Sequence, residues 1–92
     1  MKKDEKKLID AIIAGMQEKK AKRIVTVDMT KLNAPCQHFV ICEGDSNVHV
    51  TAIAYEVKDY VRKNAGEKPF ASDGFENSEW IALDYGAVIV HI

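Results

Sequence analysis

The chain has 92 residues, 47% of them apolar and 29% charged, and its 13 basic and 14 acidic residues give a net charge of −1. This size allows a single domain over residues 1–92, and the charge balance disfavours a dedicated nucleic-acid binder, which needs an excess of basic residues. No apolar run approaches the roughly 20 residues of a membrane span, and no apolar signal core follows the Lys-rich start. We therefore expect a cytoplasmic protein with no membrane contact.

The first half of the chain predicts one helix and two strands. Apolar residues recur at helical spacing over residues 3–20, with charged residues between them. Residues 24–28 and 38–43 are short runs rich in branched residues and predict two strands. The stretch between them, residues 29–37, contains an asparagine and a proline and predicts a loop.

The second half predicts one more helix and three short strands. Ser46 or Asn47 is the expected N-cap of the helix, and Asn64-Ala65-Gly66 is its expected stop. Residues 68–72 predict a short strand, and residues 79–92 predict a hairpin. The order αββαβββ indicates an α/β (α+β mixed sheet) fold, with two helices packed on a roughly five-stranded mixed sheet. Two helices cannot cover both faces of such a sheet, so one face is expected to stay open.

The hairpin carries the strongest functional signal. Tyr85 and Gly86 are predicted to form a two-residue loop, so that residues 84, 82 and 80 face residues 87, 89 and 91. Because side chains alternate along a strand, one face then holds Ile81, Leu83, Val88, Val90 and Ile92, which is a core face. The other face holds Trp80, Ala82, Asp84, Ala87, Ile89 and His91, a mixed composition that favours a protein interface.

Five hairpin residues are the candidate partner-binding residues: Trp80, Asp84, Tyr85, Ile89 and His91. Trp80 and Tyr85 are predicted to be an anchoring pair, because large rigid aromatics dominate interface energetics; the alternative is a Trp at the edge of the core and a Tyr in a turn. Asp84 is expected to bond the backbone of its own turn, a role that does not exclude a hydrogen bond or salt link from a basic residue of the partner. His91 is expected to flank Trp80 as a polar contact.

A second candidate site lies at Gly44, Asp45 and Ser46, because amides at a helix N-terminus bind phosphate; a plain strand-to-helix turn explains the same residues. A nucleotidyltransferase also needs closely spaced carboxylates that hold Mg²⁺, and no Asp-x-Asp pair follows. Glu56 and Asp59 lie on the second helix instead. We predict no catalytic residue and no cofactor.

Cysteine and histidine residues raise a metal hypothesis. Their order, Cys36, His38, Cys42 and His49, lacks the tight Cys-x₂₋₄-Cys hook that zinc favours. Small buried thiols in the reduced state are the ordinary interpretation of the two cysteines. We therefore predict no metal site.

Several ordered blocks of the sequence resemble one protein family. The main block runs from Trp80 through Asp84-Tyr85-Gly86 to Val88-Ile89-Val90-His91. The upstream blocks follow in the same order and are Ile24-Val25 with Val27-Asp28, Phe39-Val40-Ile41-Cys42, Gly44 with Ser46, and Ile53-Ala54 with Glu56-Val57. From about Leu8 to Ile92, the chain resembles the ribosomal silencing factor family, RsfS or Iojap.

This resemblance implies a translational repressor, bacterial or organellar, with a reduced nucleotidyltransferase-like topology. It implies that the protein binds ribosomal protein L-fourteen on the large ribosomal subunit and thereby blocks subunit joining. The net charge of −1 favours contact with ribosomal protein over RNA, so little direct RNA contact is expected. Two other functions are open: a nucleotide-binding or nucleotidyltransferase-like enzyme that uses Gly44–Ser46, and a homodimerisation module that uses the hairpin.

The chain departs from the family pattern at three places. Ala87 stands where the family usually has aspartate, and Cys36-Gln37-His38 stands where Thr-Asp and an aromatic are usual. The family also continues beyond the position of Ile92 with a short, charged, helix-prone tail, which this chain is expected to lack.

Overall fold

A computed structural model describes residues 3–77 and 79–92, with side chains from Glu5 onward. Its helices are α1 (Lys3–Glu18) and α2 (Asn47–Ala65), and its strands are β1 (Lys22–Asp28), β2 (His38–Glu43), β3 (Ala71–Asp73), β4 (Ala82–Asp84) and β5 (Val88–His91). The predicted order αββαβββ is confirmed. No helix in the described ranges is both long enough and apolar enough to cross a membrane.

The five strands form one mixed sheet in the order β1-β2-β5-β4-β3. The two strands at its centre, β2 and β5, are parallel, and all other neighbours are antiparallel. The last strand in sequence is therefore inserted between the second strand and the fourth. The predicted mixed sheet is confirmed.

Both helices pack on the same face of this sheet. The core consists of apolar side chains from the two helices and from alternate positions of the central strands. The largest fully buried ones are Ile12, Met16, Ile53, Ile81, Leu83, Val40, Val57, Val61, Val88 and Val90. Along β2 and β5 the burial alternates, so the intervening side chains point away from the helices. The sheet is thus covered on one side only within the described residues.

The first helix ends two residues earlier than predicted. Lys20 adopts a left-handed φ of 55°, which closes the helix at Glu18. The Ala21 N–H donates to the Met16 carbonyl at 3.0 Å, as in a Schellman cap, so the terminal carbonyl has a partner without another helical turn.

The second helix has the caps that the sequence predicts. Ser46 is the N-cap, and its hydroxyl accepts from the His49 N–H at 3.1 Å. Gly66 is the C-cap, with a φ of 69° that suits glycine. The Gly44–Ser46 stretch is therefore the strand-to-helix turn that leads into α2.

The short strand before the hairpin begins later than predicted, at Ala71 instead of residue 68. Pro69 has no N–H to donate to a strand ladder. The Phe70 N–H makes the first bond to the neighbouring strand, at 2.7 Å from the Asp84 carbonyl oxygen. Pairing continues through Asp73, opposite Ala82.

The hairpin register differs from the predicted register by two residues. Ala82 pairs with His91, and the Tyr85 N–H donates to the Val88 carbonyl at 2.9 Å, which places Gly86 and the next residue at the centre of the turn. The predicted loop put Tyr85 at the tip, whereas the observed one lets its ring enter the core. Because the shift is an even number of residues, the side chains of the paired strands keep their predicted faces. Ala87, which was predicted to face outward, lies in the turn and packs against the core.

Candidate functional site

The side chains that point away from the helices form a continuous surface across four strands. Parallel pairing places Phe39 beside Ile89 and Ile41 beside His91, and antiparallel pairing places Val25 opposite Ile41. We name this surface the open sheet face. It comprises Val25, Val27, Phe39, Ile41, Trp80, Ala82, Asp84, Ile89 and His91.

Trp80 is the largest exposed group of the open sheet face, with 53% of its surface accessible. The next residue, Ile81, exchanges two backbone hydrogen bonds with Ile92, at 3.2 and 2.9 Å, and these bonds fix the end of the hairpin. Alternation along the strand then places Trp80 on the same side as Ala82. The indole therefore lies on the side of the sheet opposite the core, as the strand pattern predicts.

Gly74 allows the backbone of the preceding loop to pass close to the Trp80 carbonyl group. It has a φ of 93°, and a Cβ at this position would collide with the Trp80 carbonyl oxygen. Only a residue without a side chain permits this contact. Gly74 is thus a positioning residue for the indole and does not itself lie on the open sheet face.

His91 lies between two aromatic rings of the open sheet face. Its ring centroid is 5.4 Å from that of Trp80 and 4.9 Å from that of Phe39, with an edge-on arrangement in the second case. The Nε2 atom is buried and has no hydrogen-bond partner among the described residues. Burial lowers the pKa of His91, so the ring is neutral near pH 7. The aromatic row therefore encloses a polar atom that is not accessible at the surface.

Asp84 bonds its own turn. Its Oδ1 accepts a hydrogen bond from the Gly86 N–H at 2.8 Å, which confirms the turn-bonding alternative. The carboxylate is half-buried at the end of β4 that is nearest the turn. Its geometry is therefore fixed before any partner arrives.

Tyr85 does not lie on the open sheet face, and the predicted exposed pair with Trp80 is wrong in this respect. Only 3% of Tyr85 is exposed, and its ring belongs to the core. Burial, with a smaller contribution from the charge of Glu67, raises the pKa of Tyr85 to about 12. The observed turn explains this position, because it moves Tyr85 from the tip into the ladder.

Ile89 and His91 are on the open face as predicted, but the sequence did not identify their neighbours Phe39, Ile41 and Val25. All four residues from Phe39 to Cys42 are apolar, so the β2 sequence does not show which side faces the core. The parallel pairing with β5 determines which side of β2 faces the core. This pairing joins segments about fifty residues apart in the sequence.

The residues of the metal hypothesis do not converge. No group of three or more His, Cys, Asp or Glu residues in the described ranges could hold a metal ion. Both ring nitrogens of His49 have backbone partners, the Asp45 N–H at 2.8 Å and the Lys19 carbonyl at 2.6 Å. Cys36 and Cys42 are free and buried, and burial raises the pKa of the Cys42 thiol to about 12.

Comparison with known proteins identifies the family. The family model described as "Ribosomal silencing factor during starvation" matches residues 2–92. The ribosomal silencing factor RsfS of Bacillus subtilis is 33% identical over 89 residues, which are 97% of this chain and 75% of that protein.

Two crystal structures show the same fold. A protein from Chromobacterium violaceum superposes with a TM-score of 0.88 at 32% identity, over 94% of this chain and 71% of the other. A protein from Bacillus halodurans superposes with a TM-score of 0.84 at 30% identity, over 94% of this chain and 79% of the other. The chain therefore belongs to the ribosomal silencing factor (RsfS) family.

Proposed function

We propose that this protein is a non-enzymatic translational repressor of the cytoplasm that docks its open sheet face onto ribosomal protein L-fourteen of the large ribosomal subunit. Its bulk then obstructs joining of the small subunit. No chemical step is needed, because occupancy alone lowers the concentration of large subunits that can join. Membership of the silencing factor family supports this role.

The observation that carries the proposal is the composition of the open sheet face. It presents a half-exposed indole just before β4, a flanking row of half-buried apolar side chains, and a partly buried imidazole. Interfaces combine a buried aromatic anchor with a few polar groups in this way. The net charge of −1 favours protein contact over extensive contact with RNA.

Within this proposal Trp80 is the anchor, and Ile89 and His91 extend the contact along β5. Asp84 accepts a hydrogen bond or an ion pair from a basic residue of the partner at the edge of the face. Tyr85 supports the turn from within the core, so its contribution to docking is indirect.

Co-sedimentation with purified large subunits tests the proposal. Wild type should sediment with the subunits, and Trp80→Ala should bind about 30-fold more weakly, since truncation of an anchoring aromatic costs about 2 kcal/mol. Val48→Ala is the matched control, because Val48 is 81% exposed on the helix layer. A circular dichroism melt verifies that each variant is folded.

The outcomes separate the partner from the face. Equal binding of wild type and Trp80→Ala would support the ribosome as the partner and exclude the open sheet face as the docking surface. No binding by wild type would reject the ribosomal partner. Subunit joining is measured in parallel on sucrose gradients, where bound wild type should reduce the fraction of joined ribosomes and Trp80→Ala should not.

Self-association through the same face is the second candidate, because an exposed indole beside apolar strands also suits an isologous dimer. Light scattering of wild type and of Trp80→Glu distinguishes the cases. Loss of a dimer in the variant would assign the dimer to the open sheet face, in competition with ribosome binding. A dimer that persists in Trp80→Glu uses another surface.

An enzyme is the third candidate and has less support. The Gly44–Ser46 stretch would be its nucleotide site, but there the Ser46 hydroxyl caps α2 and the Asp45 N–H donates to His49. Calorimetry with a nucleoside triphosphate and Mg²⁺ is the direct test, and measurable heat of binding would revive this candidate.

A further inference from the structure

A groove on the helix layer lies apart from the open sheet face. It runs between the outer side of α2 and the chain that follows this helix, and its volume is about 420 Å³. Tyr55, Lys58, Arg62, Lys68 and Pro69 line it. Pockets that hold small ligands have volumes of roughly 300–1,000 Å³, so one nucleotide fits this space.

The groove follows from the local sequence of α2. Tyr55, Lys58 and Arg62 are three and four residues apart, so they lie on one side of the helix. The C-cap Gly66, with its left-handed φ of 69°, reverses the chain at the helix end. Lys68 and Pro69 then form the opposite wall.

Tyr55 provides an aromatic platform in this groove. The side chain is 57% exposed, and its ring lies 5.0 Å from that of Phe75, which packs against the core. The Lys58 Nζ is 5.8 Å from the Tyr55 ring centroid and 5.5 Å from that of Phe75. An ordered aromatic ring therefore stands next to a positive charge.

The charge of the groove is positive. Three basic side chains line it against the single carboxylate of Asp59. That carboxylate is already paired, with Arg62 at 2.7 Å and with Lys63 at 2.9 Å, and hydrogen bonds from these two groups hold its pKa below the usual range. Within the described part of the chain, Lys58 and Lys68 form no ion pair. The Lys68 ammonium group is thus available to an anion. The Lys58 ammonium group is held, among the described residues, only by its contacts with the rings of Tyr55 and Phe75.

We propose that this groove binds one nucleotide of a single-stranded RNA, with the base stacked on Tyr55 and the phosphate held by Lys58, Arg62 and Lys68. Proteins hold single strands by this combination of an aromatic platform and neighbouring cations. An acidic peptide would satisfy the cations but leave the ring face unused. The site is local, so it adds a small RNA contact to a protein whose net charge is −1. It does not depend on docking through the open sheet face.

Fluorescence anisotropy with a labelled oligouridine of about ten nucleotides, a length within the usual range of single-strand sites, tests the proposal at low salt. Tyr55→Ala should lower the affinity about fivefold or more through loss of stacking, with an unchanged salt dependence. Lys68→Ala should weaken binding and reduce the slope against salt by about one. Lys7→Ala on α1 removes the same charge from an exposed site outside the groove and should bind as wild type does.

Any of the following results would overturn the proposal: no binding by wild type at low salt, unchanged affinity of Tyr55→Ala, an equal loss in Lys7→Ala, or displacement of the RNA by a polyglutamate peptide at matched charge. Competition with uridine monophosphate shows whether the groove binds a nucleotide of an RNA strand or a free nucleotide. If the monophosphate displaces the RNA at an equal nucleotide concentration, the groove holds a free nucleotide and the RNA proposal fails. Lys68 is exposed beyond the helix, so its variant keeps the test valid even if Tyr55→Ala is unstable.

Discussion

The rings of Trp80 and His91 lie 5.4 Å apart although the strand register pairs His91 with Ala82. The two are diagonal neighbours on one face of the hairpin, a separation that aromatic side chains can bridge. The indole therefore contributes to the burial of the imidazole, and this burial lowers the pKa of His91.

This contact predicts a pH-dependent stability. Burial lowers the folded-state pKa of His91 below its ordinary value of 6.5, so the unfolded chain takes up a proton first as the pH falls. The neutral His91 ring therefore contributes to the free energy of unfolding above pH 6.5. This contribution is lost as the pH falls through the pKa that His91 has in the folded protein. Urea unfolding between about pH 7.5 and about pH 5 should show wild type losing more stability than His91→Gln.

The same variant serves as the control for other titrating groups. The exposed carboxylates of Asp28, Asp45 and Asp59, whose pKa values are lowered by hydrogen bonds, are common to both proteins. Their effects cancel in the comparison. Identical pH profiles for wild type and His91→Gln would show that the imidazole is not responsible.

The buried hydroxyl of Tyr85 predicts a stabilising substitution. No described residue forms a hydrogen bond with this oxygen, and an unsatisfied buried polar group costs about 1–3 kcal/mol. Tyr85→Phe should therefore raise the free energy of unfolding by about 1 kcal/mol, because it keeps the ring and removes the hydroxyl. Chemical denaturation measures the change, and co-sedimentation should show unchanged binding to large subunits. A loss of stability would indicate that the hydroxyl has a partner such as water.

Two glycines with positive φ predict different costs of substitution. Gly66→Ala should lose only about 1–2 kcal/mol from the left-handed backbone, because nothing lies within 4 Å of its added Cβ. In Gly74→Ala the added Cβ also collides with the Trp80 carbonyl oxygen. The free energy of unfolding should therefore fall by about 3 kcal/mol or more. Urea denaturation gives both values, and Gly74→Ala should also shift the Trp80 fluorescence maximum. Equal costs would mean that the loop can move away from the carbonyl.

The N-cap of α2 predicts a purely structural effect. Ser46→Ala removes the oxygen that accepts from the His49 N–H and should lower the free energy of unfolding by about 1 kcal/mol. Ser46→Asp, another good N-cap residue, should retain the stability. Neither variant should alter large-subunit binding. Weaker binding by a folded Ser46→Ala would place the turn in the interface.

Alternation of side chains was enough to predict which residues of the two hairpin strands face the core and which face outward, but it misplaced Ala87, which packs against the core from the turn. It was not enough to predict the register, because Gly86 suits more than one turn position, and a shift of two residues preserves both faces. Tyr85 therefore lies in the core, whereas the predicted register placed it at the tip of the loop. Phe39 was missed for another reason: its strand is apolar on both sides, and only pairing with the distant β5 assigns its face.

The central position of β5 has a consequence for synthesis of the protein. β1 and β2 cannot join β4 and β3 into one sheet until residues 88–91 have left the ribosome that makes them. Until then Phe39 and Ile41 lack their neighbours Ile89 and His91. The surface that we propose to bind the large subunit is therefore incomplete. The open sheet face is therefore assembled only once β5 has left the exit tunnel, in whatever order the other strands fold.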